Sequence, residues 1–183
     1  MDKKVTIPLT KDQIENLHAG DSVLISGVIY TARDAAHERM VKNFEKGEKF
    51  PIDLTDNVIY YAGPCPAKPG EVIGSCGPTT AGRMDAYAPI LLDNGLGAMI
   101  GKGVRKDTVI DAMKRNKCVY FGAIGGAGAL ITKTIKEAEV VAYDDLGTEA
   151  IRRLVVEDFP AVVLVDCEGN DLYKNEREKY AEI

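Results

Sequence analysis

Hydrophobic positions along the 183-residue chain switch repeatedly between a period of two and a period near 3.6, and the switches place its elements. Lys4 to Leu9 alternates as a short strand. Thr10 follows, with Gln13 three residues on, the spacing of a capping box that opens a helix. Asp21 to Thr31, DSVLISGVIYT, is rich in β-branched residues and predicts a buried strand. It runs into ARDAAHERMVKNFEKG, where Asp34 is placed to cap a helix and Gly47 to stop it. Val58 to Ala62 predicts another strand, ahead of the Pro/Gly-rich segment GPCPAKPG. Arg83 to Leu92 predicts a helix in spite of Pro89, and MIGKG a short strand and turn. KDTVIDAMKRN has the helical period, and CVYFGAI predicts a strand that meets the glycines of GGAGAL. Then come AEVVAY as a strand, TEAIRRLVVE as a helix and PAVVLVD as a strand. EGND follows as a turn, DLY as a short strand and KNEREKYAEI as a charged helix.

Strands and helices alternate, but some strands follow one another with only a loop between them. That favours α/β or mixed three-layer packing over an all-parallel dinucleotide-binding sheet. No repeat and no low-complexity linker interrupts the chain, so residues 1–183 are expected to form a single domain large enough for a real core.

Charge and cysteine usage narrow the partners. A formal net charge of -5 argues against nucleic acid, whose phosphates require a basic face. The longest uncharged run, between Lys117 and Lys133, is broken by glycines and falls short of the roughly 20 apolar residues that span a bilayer. MDKKVTIPL lacks the apolar segment of a signal peptide, so a cytoplasmic protein without a membrane role is expected. Cys65, Cys76, Cys118 and Cys167 stand far apart with no C-x-x-C pair. They are expected to be reduced thiols, and no metal site is expected from this chain alone.

The chemistry concentrates in GPTTAGRMD, Gly77 to Asp85, and in two other loops. Arg33 falls at the strand-to-helix junction TARDAAH, Arg83 in GPTTAGRMD, and Lys102 between the glycines of IGKG. Ligands bind at strand ends in open α/β sheets, and a guanidinium matches a carboxylate or phosphate through two parallel hydrogen bonds. Each cation has a plainer alternative: Arg33 paired with Asp34 or Glu38, Lys102 solvated in a turn. Together they point to a small ligand with two or more acidic groups. Thr79 and Thr80 are placed either to cap the following helix or to offer hydroxyls to an anion and carry a proton. Asp85 is the one base in that loop, so a partner is needed to supply another. GAMIGKG has the wrong spacing for a phosphate-binding P-loop, and GAIGGAG lacks the dinucleotide glycine order; tight packing suits its glycines better. His37, one helical turn beyond Arg33, is open to a structural or a catalytic role.

GPTTAGRMD, together with ARDAAHER, IGKG, YFGAIGGAGAL and DFPAVVLVDCEGND, closely resembles the C-terminal region of class I iron–sulfur fumarases. It also resembles the β subunits of two-subunit fumarases and L-tartrate dehydratases. The motifs occur in the same order from about Pro8 to Tyr173. The resemblance implies a three-layer swivelling β/β/α domain and a hydro-lyase that interconverts fumarate and malate. It also implies a [4Fe-4S] cluster held by three cysteines of a partner α subunit, with one iron as Lewis acid; no cysteine here matches those ligands. By the same resemblance Thr79 moves the proton together with an acidic residue of the α subunit. Arg33 and Arg83 hold the carboxylates of a small dicarboxylate substrate, Lys102 neutralises a carboxylate, and Thr80 and Gly82 shape the loop. The implied partner makes this chain half of a hetero-oligomeric enzyme. Against this stands a non-catalytic anion-binding or regulatory module of the same fold.

Overall fold

The computed structural model of the chain describes residues 2–180, with side chains as far as Arg177. Its strands are β1 (Lys3–Thr6), β2 (Ser22–Thr31), β3 (Val58–Tyr60), β4 (Ala98–Gly101), β5 (Val119–Gly122), β6 (Ile135–Ala142) and β7 (Ile151–Val165). They lie in the order β1-β2-β3-β4-β5-β7-β6. The first five strands pair in parallel, whereas β7 runs antiparallel to β2, β5 and β6. The fold is therefore mixed α/β, with parallel and antiparallel strands in one sheet.

The pairing also closes on itself. The long strand β2 bonds to β3 through Tyr30 and Thr31, and to β7 along most of its length. Because β7 also bonds to β5, the circuit β2-β3-β4-β5-β7 is continuous, which covers strand edges that would otherwise stay open.

Alternation along the short central strands sends side chains to two separate cores. Val58, Tyr60, Ile100, Val119 and Phe121 join Ile25, Ile29 and Phe159 in one buried cluster. Ile59, Met99 and Tyr120 point the other way, into a second cluster. There they meet Met40 of α2 (Asp34–Glu45), Leu91 of α3 (Ala88–Asp93) and Met113 of α4 (Asp107–Asn116). Complete burial of each such side chain is worth about 1.5–3 kcal/mol.

Local signals account for much of this. The capping box at α1 (Lys11–Glu15) is present, Thr10 and Gln13 each accepting from the other's backbone. Three expectations shift. The cap of α2 is Arg33, with Asp34 already its first helical residue. The helix expected over Arg83–Leu92 is split into a 3-10 turn, Ala81–Met84, and α3. Pro89 falls in the first turn of α3, where its missing N–H costs nothing. The strand expected from Lys4 to Leu9 ends at Thr6.

Two expectations fail. TEAIRRLVVE is not a helix: from Ile151 on it is the first half of β7, paired with β2 on one side and β6 on the other. Nor does DLY form a strand; Asp171 alone bridges Val165, and α6 (Leu172–Tyr180) starts at the next residue. The expected charged helix is α6 as far as Tyr180, and its last three residues lie outside the described ones. A short α5 (Gly128–Thr132) grows out of GGAGAL. No helix among the described residues is long and apolar enough to cross a membrane.

Candidate functional site

The parallel strands β2 to β5 end at one edge of the sheet, and the loops leaving that edge carry every cation singled out in the sequence. Thr79 donates its N–H to Tyr61 O, just past β3, at 2.7 Å. Lys102 N–H donates to Thr79 O at 3.2 Å, and Ala81 N–H returns to Lys102 O at 2.9 Å. GPTT is thus laid as a short parallel extension against the end of β4, with Thr80 bridged to Lys102. The Lys102 side chain is exposed and runs along Gly125, where an added Cβ would sit 3.7 Å from its Nζ. No carboxylate comes within 4.0 Å of Lys102 among the described residues.

Asp34 joins the two arginines. Arg83 Nε donates to Asp34 Oδ1 at 2.8 Å, and Arg33 Nε lies 3.8 Å from Oδ2. Arg33 Nη2 lies 3.3 Å from Glu149 Oε1, and the other Glu149 oxygen accepts the Ala35 N–H. The Arg33 guanidinium passes so close to Gly63, beyond β3, that a Cβ there would meet Nη1 at 2.8 Å. Arg83 keeps half of its side chain exposed, with its terminal N–H groups unengaged. Two arginines against two carboxylates cancel, and Lys102 leaves the edge with a net positive charge.

The remaining expected residues play smaller parts. Thr79 is half-buried and Thr80 exposed; the Thr80 hydroxyl caps nothing. A Cβ at Gly82 would make only ordinary contacts, so no close packing requires glycine there. Asp85, the one base the loop offers, is already engaged. Its Oδ1 accepts from Arg105 Nε at 2.7 Å and its Oδ2 from the Lys106 N–H at 2.9 Å. His37 is fully buried, and its Nδ1–H donates to the Arg33 carbonyl at 2.8 Å. Burial holds its pKa down to about 4, so the ring is neutral and braces the backbone of Arg33.

Sequence reasoning missed Arg105, Glu149 and the bridging role of Asp34. Arg105 sits just before the helical run KDTVIDAMKRN with no motif to mark it, and Glu149 lies inside the segment read as helical; only long-range contacts reveal them. A cavity of about 490 Å³ lies at the opposite end of the sheet, lined by Lys11, Ile14, Leu96 and Arg115. Its Arg115 is already paired with Asp93.

The model of the family described as Fumarase C-terminus matches residues 2–176. Fumarate hydratase 2 of Leishmania major is 40% identical over 176 residues, covering 94% of this chain and 31% of that protein. The aerobic class I fumarate hydratase of Escherichia coli (strain K12) is 42% identical over 164 residues, 88% of this chain and 30% of the relative. The chain thus spans about a third of the length of these relatives. It is also 37% identical over 180 residues to the putative L(+)-tartrate dehydratase subunit beta of Methanocaldococcus jannaschii, covering 95% of this chain and 92% of that one. Matched over residues 2–176 by this model, and carrying its cations on one sheet edge, the chain belongs to the fumarase C-terminus family.

Proposed function

We propose that this chain is the β subunit of an iron–sulfur-dependent hydro-lyase that hydrates fumarate reversibly to (S)-malate, active only with a cluster-bearing α subunit. The observation that carries this is the pairing of Thr79 with Lys102 on an open sheet edge, where Asp34, Asp85 and Glu149 are all engaged by arginines. A hydroxyl and three cations without a free base make half a site. That suits a chain matching nearly all of a relative named as a beta subunit but about a third of the fumarate hydratases.

A dicarboxylate brings two negative charges, and loss of a proton from the carbon beside one of them adds more. Lys102 neutralises that developing charge. Arg33 and Arg83 hold carboxylates through the N–H groups that Asp34 and Glu149 leave open. The Thr79 hydroxyl moves the proton, in concert with an acidic residue of the α subunit. Thr80 and Gly82 shape the loop around the substrate.

The thiols of this chain do not fit the [4Fe-4S] cluster, which is assigned to the α subunit. Cys76 and Cys118 are buried, and burial pushes both thiols up to about 12. Among the described residues no three His, Cys, Asp or Glu side chains gather to hold a metal. The part of this chain is binding and proton transfer.

Residues 1–183 act as one three-layer swivelling β/β/α domain, its layers divided by the two apolar clusters, closing onto the α subunit within a hetero-oligomer. The four cysteines are unpaired, which suits the reducing cytoplasm. Anaerobic reconstitution tests the proposal: the purified chain alone turns over no fumarate, and adding the cluster-loaded α subunit restores hydration. Robust turnover by the isolated chain would overturn the shared site. L-Tartrate is the second candidate substrate, favoured by the subunit-length match; the same complex assayed on both acids decides between them.

A further inference from the structure

Between the loop of Thr79 and Arg83 and the turn of Lys102 lies a buried ion pair. The Arg105 and Asp85 side chains are 0% and 2% exposed, with Nε and Oδ1 2.7 Å apart. The guanidinium carbon sits 5.4 Å from the Tyr61 ring centre and 5.0 Å from that of Tyr120. Nη1 lies 3.2 Å from Met99 Sδ, while Nη2 is buried without a partner. Withdrawing two charges from water and leaving one donor unmet is costly, and well-packed apolar pairs are often as stable or more so. Stability therefore gives a poor account of this pair.

Its location gives a better one. Asp85 closes the 3-10 turn that carries Arg83, and Arg105 stands three residues beyond Lys102. Tyr61, under the guanidinium, accepts the Thr79 N–H through its carbonyl. Tyr120, the other ring beside it, donates its hydroxyl to Gly103 O, next to Lys102. A single ion pair thus touches each segment that holds Thr79, Arg83 and Lys102.

We propose that Asp85 and Arg105 are positioning residues that keep the Thr79–Arg83 loop in register with the Lys102 turn, so that hydroxyl and ammonium face one substrate. This rests on the hydro-lyase reading above. A slip of about 1 Å in such a constellation costs about 100-fold in rate.

The test uses the enzyme reconstituted with its cluster-bearing partner. The double variant Asp85→Leu/Arg105→Met is expected to melt at or above the wild-type temperature while kcat falls about 100-fold. Arg105→Lys keeps the charge but loses the fork, and is expected to lose about 10-fold in kcat. Its effect should be strongly non-additive with that of Lys102→Ala, because both act through the same ammonium. A purely structural role predicts additive effects. A folded double variant with wild-type kcat, or an additive cycle, overturns the proposal; should the double variant not fold, the cycle decides alone. Failure of the hydro-lyase reading looks different: Lys102→Ala by itself would then leave turnover unchanged, and the positioning proposal would fall with it.

Discussion

At Lys102 an ammonium stands in solvent beside Gly125 with no carboxylate to surrender when a dianion arrives. Lys102→Ala in the reconstituted enzyme is therefore expected to lower kcat/KM by about 2–5 kcal/mol, roughly 30- to 4,000-fold. Arg83 differs, because Asp34 already holds its Nε and half of the side chain is exposed. Arg83→Ala is expected to act at the low end of that range and chiefly through KM; steady-state kinetics on both variants check this, and wild-type kcat/KM in both would sink the assignment. His37 makes a prediction about stability instead. Its folded pKa of about 4 lies below the unfolded value near 6.5, so the unfolded chain binds more protons between those limits. Stability is complete above pH 6.5 and falls with pH down to about 4, by about 3 kcal/mol in total. Urea titrations of wild type and His37→Asn across that window should show the extra slope in wild type only.

Among the elements, β7 carries the clearest lesson. TEAIRRLVVE spaces Ile151 and Leu154 three apart with arginines between, which resembles one face of a helix. The segment instead lies between β2 and β6, with Leu154 and Val156 buried and Val155 on the opposite, half-buried face. Pairing with a strand more than 100 residues earlier overrides a local pattern of this length, since strand preference is largely a matter of what lies alongside. Leu154→Ala is expected to cost about 2–5 kcal/mol in denaturant unfolding, and Val155→Ala clearly less. Equal costs at the two positions would contradict the strand alternation. The helix expected from Arg83 divides for a similar reason: Asp85 is drawn down to Arg105, and α3 starts afresh with Pro89 in its first turn.

For the whole molecule, local chemistry was enough to read the capping box at Thr10, the strand ends and the three cations that leave them. Glycine-flanked loops after β-branched runs announce themselves within a few residues. The order of elements also favoured mixed packing over an all-parallel sheet, because some strands followed one another with only a loop between them. Three features needed the folded chain: the closure of β2 through β5 onto β7, the bridging of Arg33 and Arg83 by Asp34, and the burial of Asp85 against Arg105. Each joins residues brought together by the sheet from distant parts of the chain, or depends on whether a charge ends up in water or out of it. Periodicity reports neither. A charged residue in a sequence looks the same whether it will meet a substrate or another residue of its own chain; packing decides which, by setting what remains solvated after the backbone pairs. Thr79 and Lys102 are left open at the edge on that account, while Asp85, their near neighbour in sequence or space, is locked beneath them.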